Sequence, residues 1–259
     1  MLGLVRKETA ELYRARLAEL QLLKTPIGED GYIRPITPGP LLYHGRFNLA
    51  WFDELGMRPI HGSPRVIFDV GAYDGGDAAR FKLKFPAAEV YAFEADPKCF
   101  GEVGKNLAGL GVKCVCAAVC SAQEKSVPWY TSASDTRSQG SMFRHTAEYQ
   151  QTFPKVRQIV ASAVEAIRLD SFCAEREIEK IDLLHMDVEG AETEVARGLG
   201  FLRPKLIFTE ALPFPGWIGP GTSSAEQHKF ISSLGYILLG DWVYDRLYLR
   251  ADLARYLSA

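Results

Sequence analysis

Three acidic residues stand at or beside the ends of short apolar runs in this chain: Asp69 in Val66-Ile-Phe-Asp-Val70, Glu94 in Val90-Tyr-Ala-Phe-Glu94, and Asp187 in Ile181-Asp-Leu-Leu-His-Met-Asp187. Gly71, Gly75 and Gly76 follow the first run at once, and a helical pattern (Ala78, Ala79, Phe81, Leu83, Phe85) begins directly after them. A strand, a glycine-rich turn and a helix start make a nucleotide-type site. Glycine lets the backbone approach a ligand, and the unbonded N–H groups of the first helical turn face it.

The loop excludes the commonest ligands. A dinucleotide fingerprint needs Gly-x-Gly-x-x-Gly, and position 73 is Tyr; no Gly-Lys-Ser/Thr follows, so a phosphate loop is absent too. Asp69 precedes the first glycine, where an anion-binding loop has no use for a carboxylate. Glu94 ends the next strand, where it can accept both hydroxyls of a ribose, whether in an adenosine or in NAD. Ile181, Leu183, His185 and Asp187 share one face of a third strand, which should adjoin the first and open Asp187 into the same crevice. Three strands would thus bring Asp69, Glu94 and Asp187 to one rim. Such a rim repels phosphates and suits a cationic sulfonium, S-adenosylmethionine. Simpler roles stand beside these: a turn carboxylate for Asp69, a solvated strand end or a partner for Lys98 in Glu94, a helix cap for Asp187.

Methyl transfer from a sulfonium is an in-line displacement that needs alignment and, for an alcohol nucleophile, a base or a metal. His185, Asp187 and Glu210 are the candidates at the strand ends; His185 lies one pleat deeper and reads equally well as a core histidine. Glu210 is equally a base, a metal ligand or neither, and no motif indicates a metal site. Glu189 and Glu192 fit helix-start electrostatics. Trp129, Phe214 and Trp217 line an acceptor pocket or anchor loops. His44 and His61 have no partner spacing.

The elements that would hold these residues alternate. Strands are expected over 65–70, 89–94, 112–119, 181–187, 205–210, 235–239 and 243–250, with helices near 76–84, 97–108, 170–177, 190–199 and 223–234. Repeated βα units predict an α/β fold, a doubly wound and mainly parallel sheet. The last two strands, linked by Gly240-Asp241-Trp242, form an antiparallel edge hairpin. The polar stretch around Thr131–Ser141, flanked by extended segments at 127–130 and 159–164, and the loop 213–222 are expected as lids over the open end of the sheet. Residues 64–259 make up this domain. Residues 1–63, with a helix over 4–24, an irregular connector and a short helix near 49–55, read as a helical appendage that covers the core or builds a contact in a homo-oligomer.

Composition bounds the partners. The chain has 259 residues, 47% hydrophobic and 24% charged, with net charge −2, so it carries no electrostatic footprint for nucleic acid. No apolar run reaches membrane-spanning length and the start has no signal-peptide pattern, which predicts a cytoplasmic protein without membrane contact. The five cysteines read as buried reduced thiols.

Four ordered motifs, Phe68-Asp-Val-Gly-Ala-Tyr-Asp-Gly-Gly76, Ala92-Phe-Glu-Ala-Asp-Pro97, Leu169-Asp-Ser-Phe172 and Ile181-Asp-Leu-Leu-His-Met-Asp-Val-Glu-Gly-Ala-Glu192, resemble the FkbM-type family of class I methyltransferases over roughly residues 64–250. The resemblance implies a Rossmann-like seven-stranded sheet, S-adenosylmethionine as cofactor, and O-methylation of a small molecule or saccharide. On these motifs the cofactor-binding candidates are Asp69, Gly71, Tyr73, Asp74, Gly75, Glu94, Ala95 and Asp187; the resemblance adds Ala118, after the third strand, where this class of fold packs the adenine. Gly140 and Ser141 resemble a family Gly-Ser element. One position departs: where the family usually has Lys, two residues before Asp187, this chain has His185. A nicotinamide-dependent oxidoreductase and a non-catalytic binding module are the alternatives.

Overall fold

Val66–Val70 is buried on both faces because it has parallel neighbours on each side and helices above and below. The computed structural model describes residues 64–122, 125–133, 139–241 and 244–256. The expected appendage, with His44 and His61, and residues 134–138 of the polar run lie outside the described residues.

Seven strands form the main sheet: β1 (Val66–Val70), β2 (Glu89–Glu94), β3 (Lys113–Cys116), β4 (Leu183–Met186), β5 (Leu206–Glu210), β6 (Tyr236–Asp241) and β7 (Asp245–Arg250). Their order is β6-β7-β5-β4-β1-β2-β3, with β7 antiparallel to both of its neighbours and the other pairings parallel. The order reverses at β1, which lies between β4 and β2. That is the switch point, where doubly wound sheets open a crevice.

Alternation along the strands sorts the core into two layers. Ile67, Val90, Ala92, Leu183, Leu206 and Phe208 face helices α1 (Gly76–Lys84) and α2 (Pro97–Asn106), through Ala78, Ala79, Phe81 and Val103. Phe68, Val70, Tyr91, Phe93, Leu184, Met186 and Ile207 face the other way, towards α4 (Leu169–Glu175), α5 (Glu192–Arg197) and α6 (Ser224–Ser233); α3 (Ala147–Thr152) lies in the insertion. In the second layer the Phe68 ring meets Tyr91, Phe93 and Phe172 at centroid distances of 5.1, 5.2 and 6.0 Å. Such pairs contribute about 0.5–1.5 kcal/mol each beyond area burial. Helix starts follow local chemistry: Asp96 accepts from the Lys98 N–H with Pro97 in the first turn, and Ser223 with Glu226 forms a capping box. Among the described residues no helix is long and apolar enough to cross a membrane.

Two boundaries differ from expectation. The stretch 112–119 is two strands: β3 stays in the main sheet, whereas Ala118–Val119 pairs with Val164–Ile167, the segment that closes the insertion. The chain turns away at Ala117 because the returning insertion offers it a partner, with the Cys120 N–H continuing that pairing to the Ile167 carbonyl. The final hairpin also extends further than expected. Gly240 and Asp241 continue β6 opposite Leu247 and Arg246, because a register shift between Leu238 and Gly240 absorbs the flexible glycine. The insertion itself is a set of short pairings, Tyr130–Ser132 with Gln158–Val160 and Arg144–His145 with Trp217–Ile218. The last of these ties the insertion to the loop after β5. The five cysteines are free thiols, three of them buried.

Candidate functional site

Strand register decides which side chains reach the crevice. Asp69 pairs with Ala92 on β2 and with His185 on β4, and His185 pairs with Phe208 on β5. These four form one row across the sheet. The next row on the same face, two residues on, is Glu94, Gly71, Asp187 and Glu210. The rim of β1 is therefore a glycine, and Asp69 sits one row below it. This corrects the expected placement of Asp69 at the rim.

At the rim, the backbone is tightly pinned. The Gly71 and Ala72 N–H groups both donate to the Phe93 carbonyl at 3.0 and 2.9 Å, and the Asp187 N–H donates to the Val70 carbonyl at 3.0 Å. Gly71 has φ +89°, and a Cβ there would lie 1.8 Å from the Asp187 carbonyl oxygen. Only glycine allows β1 and β4 to meet this way. Tyr73, at φ 51°, directs its N–H to the Glu94 carboxylate at 2.7 Å; the Asp96 N–H donates to the other Glu94 oxygen, also at 2.7 Å. Burial pushes the Glu94 carboxyl up to about 7 against those two bonds.

An open crevice lies over Glu94, Gly71 and Asp187, about 540 Å³ with its solvent mouth included; Glu210, the fourth member of the row, does not line it. Gly71, Tyr73, Glu94, Ala95, Ala118 and Asp187 line it, joined by Phe93, Trp129, Met142 and Glu189. Of the expected cofactor residues, Asp69, Asp74 and Gly75 do not line it. Asp74 is buried at the start of α1, where its carboxylate accepts from the Gly76 N–H at 3.0 Å; burial lifts it to about 8. Gly75 caps α1 at φ +86°, with Leu107 filling the space a side chain would need.

His185 and Glu210, expected as catalytic residues with Asp187, are placed differently from each other. His185 lies below the crevice, its Nδ1 2.6 Å from an Asp69 oxygen. Burial alone would lower the imidazole, but the bond to Asp69, the Asp69 charge, and the charges of Asp77 and Asp187 lift it to about 9. Burial raises the Asp69 carboxyl. Glu210 is buried at the end of β5, and its carboxylate lies with those of Asp187 and Glu189 inside a group whose oxygens are within 4.8 Å of one another. Three such carboxylates can share a proton or hold a divalent cation, and we assign no metal to them. Glu189 thus belongs to the crevice, not to the helix start. Its φ of 54°, followed by Gly190 at 93°, turns it out of the β4–α5 loop. Glu192 stays with the loop, accepting from the Val188 and Gly190 N–H groups at 3.2 Å each.

The lid side is built from packing. Trp217 covers Gly190, where a Cβ would lie 2.4 Å from the indole. Tyr149, Phe153, Phe214 and Trp217 form one aromatic cluster, and His145 stacks on Tyr149 at 4.0 Å. Trp217 and Phe214 do not line the crevice, whereas Trp129 does, against Gly140. Ser141 ties the insertion to the rim by donating to the Glu189 carbonyl at 2.7 Å. Gln227, buried in α6, donates to Thr209 Oγ1 and to the Glu210 carbonyl and so fixes the end of β5. Nothing in the sequence singled Gln227 out.

Comparison with known proteins follows the same lines. The Methyltransferase FkbM domain matches residues 69–238. The 2-O-methyltransferase NoeI of Sinorhizobium fredii is 33% identical over 155 residues, 56% of this chain and 62% of that protein. The chain therefore spans less than two thirds of the length of that relative. Solved structures include a putative caffeoyl-CoA O-methyltransferase from Staphylococcus aureus, 12% identical over 95% of this chain and 99% of that one, with a TM-score of 0.44. Another is the Aeropyrum pernix fibrillarin, 14% identical over 86% and 91%, with a TM-score of 0.41. The domain match covers the sheet from its first acidic residue into its C-terminal hairpin, so the chain belongs to the FkbM methyltransferase family.

Proposed function

We propose that this protein transfers a methyl group from S-adenosylmethionine to a hydroxyl oxygen of a small molecule or saccharide. The observation that carries the reading is the rim row itself: Glu94, Gly71 and Asp187 side by side at the carboxyl ends of β2, β1 and β4, under a crevice lined by acidic and apolar side chains. Acidic groups suit an ammonium and a sulfonium, and Phe93, Ala118, Trp129 and Met142 suit a flat base. Glu94 supports ribose binding, because each of its oxygens keeps a lone pair after accepting one backbone N–H. The family and the relative named as a 2-O-methyltransferase support a hydroxyl acceptor. Tyr73 in place of the second glycine speaks against the pyrophosphate that a nicotinamide cofactor would bring.

The cofactor supplies an electrophilic methyl on a sulfonium. The chain must align the acceptor oxygen behind that carbon and take up its proton as the carbon–oxygen bond forms and the carbon–sulfur bond breaks. Asp187 and Glu210 are the residues proposed for this. One carboxylate oxygen of each lies within 4.8 Å of the other's and of one from Glu189, so the group offers more than one acceptor for that proton. The test is turnover: release of S-adenosylhomocysteine with a panel of hydroxylated acceptors, oligosaccharides included. Product from at least one hydroxylated acceptor is expected. Tight cofactor binding with no turnover on any acceptor would favour a binding module instead.

A further inference from the structure

Beneath the rim, the core between α1 and the sheet is mainly apolar, and one polar rung crosses it, with Asp77 of α1 near enough for its charge to act on both members. Asp69 and His185 are wholly or almost wholly buried, joined at 2.6 Å, and flanked in their row by Ala92 and Phe208. The imidazole ring lies against Phe81 of α1 at 5.7 Å and against Phe208 at 5.6 Å. An ion pair in such a place is expensive. Both ions lose their hydration, and well-packed apolar residues of similar volume often give equal or better stability. Asp69 adds to the cost, since its Oδ2 is buried and accepts no hydrogen bond among the described residues. The rung also joins the two strands that part at the switch point, directly below Gly71 and Asp187.

We infer that the Asp69–His185 pair is a positioning element of the site: a fixed, buried, hydrogen-bonded pair that orients the Gly71–Asp187 contact, and with it the Asp187 carboxylate, towards the bound cofactor. The inference rests on the S-adenosylmethionine reading. It goes further by giving His185 a role that is neither base nor filler. The pair lies one row under Gly71 and Asp187, and Asp187 is near enough for its charge to act on His185, so what the pair contributes reaches the Asp187 carboxylate first. An Asn–Gln pair keeps a polar rung able to hydrogen-bond between the strands but removes both ionisable groups.

The test compares the wild type with Asp69→Asn/His185→Gln, each titrated calorimetrically with S-adenosylmethionine, with melting temperatures measured alongside. The double variant is expected to melt at or above the wild-type temperature while its Kd rises about tenfold. A Kd within about twofold of wild type would overturn the inference, because a merely structural rung shifts melting and not affinity. If the double variant does not fold, the wild type decides: the ¹⁵N ring signals of His185 are expected to shift on saturation with S-adenosylmethionine, and unchanged signals would overturn the inference. Failure of the wild type to bind at all would instead remove the cofactor reading.

Discussion

The cofactor wall of the crevice and the aromatic cluster that backs its lid wall are held by different forces. On the cofactor wall, backbone groups set the geometry: Gly71 and Ala72 donate to Phe93, while Tyr73 and Asp96 donate to Glu94. On the lid wall, side chains do so: Tyr149, Phe153, Phe214 and Trp217 pack on one another, and Trp217 packs on Gly190. Backbone hydrogen bonds and positive φ angles demand particular residues at particular positions. Aromatic packing accepts many solutions of similar volume. The first wall should therefore be brittle to substitution and indifferent to the acceptor, and the second tolerant in fold and decisive for the acceptor.

The sharpest break would come at Gly71. Gly71→Ala puts a Cβ 1.8 Å from the Asp187 carbonyl at φ +89°. We expect either no folded protein or a loss of S-adenosylmethionine affinity of about a hundredfold or more, read by calorimetry. Trp217→Ala tests the other wall. Truncating a buried aromatic costs about 3–5 kcal/mol where the site cannot collapse. Denaturant melts should show that cost, with acceptor KM raised about tenfold and cofactor Kd within about threefold of wild type. An equal effect on both ligands would dissolve the distinction between the walls.

Glu94→Gln is a milder probe of the cofactor wall. It keeps the outline, removes the charge proposed to meet the ribose hydroxyls, and sets an amide NH2 against one of the two backbone N–H groups that Glu94 accepts, so Kd should rise about tenfold, as expected for a hydrogen bond to a charged group. The smallest effects are those of pH, and the walls should differ in sign. Glu94, raised to about 7 by burial, holds a proton in the folded state that the unfolded chain releases above its usual 4.5. It therefore destabilises the protein as pH rises from 4.5 to 7. His145 on the lid wall is lowered by burial to about 4 from 6.5, so the unfolded chain takes up a proton first and stability falls as pH drops from 6.5 to 4. In stability–pH curves, Glu94→Gln and His145→Gln should tilt the slope below pH 6.5 in opposite directions; parallel tilts would contradict the assignment.

The same difference explains what was legible in the sequence. The sheet was legible because buried parallel strands leave continuous apolar runs, and the cofactor wall because Gly71 and Glu94 occupy positions that admit few other residues. Asp69 was misplaced by one row: strand periodicity shows which residues share a face, but only the register aligns Asp69 with His185 and Gly71 with Asp187. Glu189 was read as helix-start electrostatics because its positive φ leaves no trace in residue type. The lid wall was the least legible. Trp129 and Trp217 read alike, as pocket lining or as loop anchors, yet one lines the crevice and the other packs on Gly190 and Tyr149, a distinction set by how two distant loops pair.

The central claim is that the acid-and-glycine row at the carboxyl ends of β2, β1 and β4 holds a sulfonium nucleoside. Calorimetric titration of the wild type tests it most directly. The account predicts S-adenosylmethionine binding with a Kd on the order of micromolar, about −8 kcal/mol, and no heat from NAD or NADP. Tight binding of a nicotinamide dinucleotide with no response to S-adenosylmethionine would contradict it.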